Sequence, residues 1–95
     1  MVERTIHLLI TGRVQGVGYR EWMIHRATAL GLRGWVRNRR DRRVEAVACG
    51  PQEMLDVLVD ACRRGPPSAR VDTVEVAPST EAIAAGAGFA QRPTE

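Results

Sequence analysis

The chain has 95 residues, a formal net charge of +3 and 44% hydrophobic residues. That length supports a single domain, 1–95, with one small core. No stretch approaches the roughly 18–20 apolar residues of a membrane helix, and no basic segment leads into an apolar one at the start. Neither a membrane nor a secretion signal is therefore expected. All 14 basic side chains are arginine. Their excess favours anionic partners: nucleic acid, phosphate compounds or acidic surfaces. Cys49 and Cys62 make neither a disulfide framework nor a zinc-ligand spacing. Two free, buried thiols in a reducing cytoplasm are expected.

Along the chain, Ile6, Leu8 and Ile10 alternate with His7, Leu9 and Thr11, the period of a strand over Thr5 to Gly12. Gly12 to Gly18 is too glycine-rich for a regular element. From Tyr19 the period changes: Tyr19, Met23, Ala27 and Leu30 share one helical face, with Gly31 or Gly34 as the stop. Gly34 to Arg40 reads as a second strand and Arg39 to Arg43 as a charged turn. Val44 to Cys49 reads as a third strand. Pro51 suits the first turn of a second helix, with Leu55, Leu58 and Cys62 as its buried stripe. Gly65-Pro66-Pro67 ends it. Val71 to Val76 alternates as a fourth strand, setting Val71, Thr73 and Glu75 against Asp72, Val74 and Val76. Pro78 to Gly88 is small and alanine-rich, and Phe89 to Arg92 leaves room for a short fifth strand.

The order β-α-β-β-α-β is the split βαβ, ferredoxin-like plan: an α+β sandwich with an antiparallel sheet and two helices on one face. Strands 1 and 2 then run parallel with strand 3 between them. Their C-terminal ends open on one edge, roughly 10 Å apart at a strand spacing of ~4.8 Å. Side chains from both ends could hold one small ligand. At the first end, Gly12-Arg13-Val14-Gln15-Gly16-Val17-Gly18-Tyr19-Arg20 feeds a helix start. Glycines let successive N–H groups face one anion, the helix end adds partial positive charge, and Arg20 offers a planar fork of donors. The same residues would also serve as a plain strand-to-helix connection. The loop is neither a Walker A nor a dinucleotide fingerprint. At the second end, Asn38 offers an acceptor and two donors without charge, or simply forms a turn.

Together the two segments resemble the acylphosphatase family. The first signature is Ile10-Thr11-Gly12-Arg13-Val14-Gln15-Gly16-Val17-Gly18-Tyr19-Arg20, with Tyr19 where Phe is usual. The second is Gly34-Trp35-Val36-Arg37-Asn38 followed by Val44 and Gly50, with Arg42 in place of a turn glycine. The resemblance covers about Thr5 to Thr94. It implies a small cytoplasmic hydrolase that cleaves the carboxyl–phosphate bond of acyl phosphates without metal or cofactor. It places the phosphate-binding arginine at Arg20 and the water-orienting asparagine at Asn38. The phosphate loop falls on Gln15, Gly16, Val17, Gly18 and Tyr19, acting through main-chain N–H groups. The expected partner is a small-molecule acyl phosphate; no nucleic acid or membrane is expected, and the chain is expected to be a monomer.

The chemistry suits so spare a site. The leaving carboxylate has a conjugate acid of pKa about 4, so protonating it gains little. Phosphoryl transfer then depends on positioning and on stabilising charge over the phosphoryl oxygens. His7 should lie on the face away from the core, and His25 lies off the helix stripe; both read as surface residues. Trp22 and Trp35 read as packing residues. Arg39 to Arg43 reads as a solvated hairpin tip or as a lure for anions, and a positive φ at Arg42 would cost on the order of 1 kcal/mol. A rival reading on the same plan is an RNA-binding module. It would need aromatics on strands 1 and 3, and strand 3 has none. A second rival keeps the fold and binds anions without catalysis.

Overall fold

In the computed structural model, which describes residues 2–95, the chain runs β1 (Glu3–Arg13), α1 (Tyr19–Ala29), β2 (Arg33–Asn38), β3 (Val44–Pro51), α2 (Gln52–Arg64), β4 (Arg70–Pro78) and β5 (Phe89–Gln91). The strands stand in the order β4-β1-β3-β2-β5. β1 is antiparallel to β3 and β4, and β2 is antiparallel to β3. The expected antiparallel sheet thus gains one parallel pair, because β5 runs alongside β2 from Gly34↔Phe89 to Val36↔Gln91. β4 leaves one edge of the sheet and β5 joins the other, so residues 79–88 must cross the sheet before the chain can pair again.

The period-two pattern of β1 does what it predicts. Ile6, Leu8 and Ile10 face the helices with Val36, Val44, Ala46 and Ala48. α1 adds Tyr19, Met23 and Ala27; α2 adds Leu55, Leu58 and Cys62. Each fully buried aliphatic side chain contributes about 1.5–3 kcal/mol. Gly31, not Gly34, ends α1. It takes φ 71°, and the N–H groups of Gly31 and Leu32 close back on the carbonyls of Thr28 and Ala27, as a left-handed cap requires.

β4 departs from the expected alternation. The register slips between Thr11 and Gly12, so Thr11 faces Thr73 while Gly12 faces Val71. Asp72 is the extra residue of this bulge. Val71 and Val74 therefore both pack on the core, although the simple alternation put them on opposite faces.

The other face of the sheet carries a charged network. Glu45 accepts hydrogen bonds from His7 (2.6 Å), Arg37 (2.7 Å) and Arg39 (3.2 Å). Arg37 also reaches the Glu95 side chain at 2.6 Å. Trp35, a packing residue as expected, lies on this face. Its indole N–H donates to Glu81 (2.6 Å), and Arg37 and Arg92 stack 4.7 and 4.4 Å from its ring centre. The two cysteines are free and buried. Cys62 sits in the helix-side core, and Cys49 on the opposite face bonds Arg33 through sulfur at 3.1 Å. The sheet separates the two thiols.

Candidate active site

β1 and β2 both pair antiparallel with β3, so they are parallel to each other and end on one edge. Between those ends lies a pocket of about 140 Å³. Val14, Gln15, Gly16, Gly18, Tyr19, Arg20 and Glu21 border it from the loop and α1, Asn38 from the end of β2 and Gln91 from β5. Residues 15, 16, 18, 19, 20 and 38 of the sequence-derived site are thus brought together. Val17 is half-buried against the core and does not border the pocket.

The loop takes this shape because of its glycines. Gly16 and Gly18 have φ 73° and 78°, left-handed values at which a side chain is strained. Gly18 is also the residue before α1, and it has no side chain to cap the helix. The first helical bond runs from the Trp22 N–H to the Gly18 carbonyl (3.0 Å). The N–H groups of Tyr19, Arg20 and Glu21 therefore lack intrahelical acceptors and a capping side chain. They lie at the positive end of the helix dipole, which suits an anion. Arg20 is half-buried and has no ion-pair partner among the described residues.

Gln15 plays a part that its motif position did not reveal. Its side-chain amide donates to the carbonyls of Arg39 (2.7 Å) and Arg43 (2.9 Å). Both amide hydrogens are used, so the side chain ties the loop to the β2–β3 hairpin. Asn38 sits next to that hairpin. Its Oδ1 is buried without a hydrogen-bond partner among the described residues, while its carbonyl accepts the Glu95 N–H at 3.1 Å. The C-terminal segment thus runs along β2 beside Asn38: the Arg92 N–H bonds the Val36 carbonyl at 2.9 Å and the Arg40 N–H bonds the Glu95 carbonyl at 3.1 Å. Gln91 and Glu21 at the rim carry no motif signal. Only the course of the chain brings Gln91 there.

Tyr19 fills the position beneath the loop. It is 1% exposed, and its hydroxyl donates to the Cys62 carbonyl at 2.7 Å. Burial, reinforced by that neighbour, pushes its pKa far above the ordinary phenol range, so it remains a neutral donor. The Cys62 thiol is likewise pushed up by burial, to about 12, and is unreactive at neutral pH.

The acylphosphatase family model matches residues 6–90 of the chain. The chain belongs to the acylphosphatase family. A protein named acylphosphatase in Rhizorhabdus wittichii is 46% identical over 98% of this chain and 90% of its own length. Another, from Azorhizobium caulinodans, is 53% identical over 90% of each. The solved structure of an acylphosphatase from Coxiella burnetii superposes with a TM-score of 0.86 at 36% identity, covering 95% of this chain and 93% of that one. The α+β ferredoxin-like architecture is therefore shared with solved acylphosphatases, and the chain is an acylphosphatase enzyme acting on small acyl phosphates. The open sheet face fits this better than RNA binding. Trp35 is 5% exposed beneath two arginines and offers no platform for a base. No helix among the described residues is long and apolar enough to cross a membrane.

Proposed function

We propose that the pocket holds the phosphoryl group of an acyl phosphate and positions one water for attack on phosphorus. The Arg20 guanidinium binds two phosphoryl oxygens as a fork. The main-chain N–H groups of Gln15, Gly16, Gly18 and Tyr19, at and before the uncapped start of α1, take the remaining charge. Asn38 accepts a hydrogen of the water through Oδ1 and holds it in line with the bond to the acyl oxygen. The water oxygen bonds to phosphorus and the bond to the acyl oxygen breaks. The carboxylate leaves with the electron pair, and the water proton passes to a phosphoryl oxygen. The products are a carboxylate and inorganic phosphate. No step is routed through a metal or cofactor, because Arg20 and the amides meet the phosphoryl charge and the leaving group is a weak base.

The observation that carries this reading is the convergence of Arg20, the uncapped start of α1 and Asn38 on one pocket of about 140 Å³. The buried Oδ1 adds to it: an acceptor without a donor costs about 1–3 kcal/mol, which a water hydrogen would recover. The separated thiols suit a reducing cytoplasm.

Inhibition by inorganic phosphate separates the two roles. Arg20→Gln is expected to lose phosphate binding and turnover together. Asn38→Ala is expected to keep the inhibition constant while turnover falls about 100-fold or more, the usual scale for removing one group that acts on the transition state. Phosphate inhibition that survives Arg20→Gln would contradict the assignment.

A further inference from the structure

A second hollow lies beside the phosphate pocket. It measures about 340 Å³ and is bordered by Gly12, Arg13, Val14, Gln15, Gly16 and Arg42. Val14, Gln15 and Gly16 border both hollows, so the phosphate loop is their common wall. Two of the six bordering residues are arginines and none is acidic. Of the other hairpin arginines, Arg43 pairs with Asp41 at 2.5 Å and Arg39 with Glu45 at 3.2 Å, while Arg40 is exposed and does not border the hollow. Arg13 and Arg42 have no ion-pair partner among the described residues.

Arg42 is also the one non-glycine residue with positive φ among those described, at 75°. Glycine would hold that conformation without strain, and an arginine there costs about 1 kcal/mol or more. Its side chain makes no hydrogen bond among the described residues that would explain the strain; only its main-chain N–H is engaged, to the Arg39 carbonyl. Strain kept beside a functional loop points to a role for the side chain.

We infer that this hollow is an anion subsite for the acyl end of the substrate. The enzyme thereby favours acyl phosphates whose acyl group carries a second negative charge over those whose acyl group is neutral. The inference rests on the phosphate site proposed above. Asn38 borders the first hollow and not the second. Val14, Gln15 and Gly16 border both hollows, so an acyl group that leaves the first hollow over this loop enters the second. A carboxylate or phosphate on that group then meets two guanidinium forks that have no other anion to bind.

The test compares matched acyl chains: succinyl with butyryl phosphate, and glutaryl with valeryl phosphate. The wild type is expected to show a KM about tenfold lower for the anionic member of at least one pair, the scale of one charge-assisted hydrogen bond. Arg42→Gly and Arg13→Gln should each bring that ratio close to one while leaving kcat/KM for butyryl phosphate within about twofold. Arg40→Gln removes an exposed arginine of the same hairpin that does not border the hollow, and it should leave the ratio intact. A wild-type ratio near one would overturn the subsite. So would a ratio that survives both substitutions, or one that falls equally in Arg40→Gln and so reflects a diffuse field. Arg20→Gln reads the other proposal separately, because it should cost turnover on neutral and anionic substrates alike.

Discussion

Glu45 is the residue on which the open face of the sheet converges. Burial alone would raise its pKa, but the hydrogen bonds from His7, Arg37 and Arg39 outweigh burial and hold the carboxyl below its ordinary 4.5. The unfolded chain therefore binds this proton more readily than the native one. Stability from Glu45 is present above pH about 4.5 and is lost as pH falls through the lower native value. Urea midpoints between pH 3 and 7 should accordingly decline at the acid end in the wild type and decline less in Glu45→Gln. Equal acid slopes would remove Glu45 from the account. At this scale much was legible in the sequence. Arg20, in the first turn of α1, and Asn38, at the end of β2, stand out because both lie in the segments that resemble acylphosphatases, and the positive φ of Arg42 follows from the glycine it replaces. The part played by Gln15 was not legible. A side chain that donates to carbonyls 24 and 28 residues away leaves no local pattern.

Among the elements, α1 is the one the site depends on most, since its first turn forms part of the pocket. Its weak point is the absence of a side-chain cap at Gly18. It is held instead from below by Tyr19, whose hydroxyl reaches the Cys62 carbonyl near the end of α2. That carbonyl is among the last four of α2 and lacks an intrahelical donor. One hydroxyl thus caps the end of one helix and anchors the start of the other. Tyr19→Phe should lower stability by about 1–2 kcal/mol, read as a lower urea midpoint at unchanged m value. An unchanged midpoint would mean that the hydroxyl contributes nothing. The elements themselves were legible because each keeps a clean period, as β1 does with Ile6, Leu8 and Ile10. β4 was misread at Val71 because a bulge inserts Asp72, and a bulge is set by the partner strand rather than by the strand's own residues.

For the whole molecule, the decisive feature is a topology that puts β3 between β1 and β2 and so opens both strand ends on one edge. The motif residues need that edge, and the order of the elements was enough to predict it. What the order did not reveal is the course of the chain after β4. Residues 79–88 cross the sheet, β5 adds a parallel strand, and the segment up to Glu95 runs along β2 beside Asn38. Small alanine and glycine side chains carry no periodicity, so the path is set by contacts made far away, such as that of Glu81 with Trp35. The central claim is that Arg20 binds the phosphoryl group and Asn38 the attacking water. Its most direct test is the hydrolysis of benzoyl phosphate with EDTA present, by the wild type, Arg20→Gln and Asn38→Ala. The account predicts turnover in the wild type and a loss of about 100-fold or more in each variant, with each still folded by circular dichroism. Near wild-type turnover in either folded variant, or a wild type inactive until magnesium is added, would contradict it.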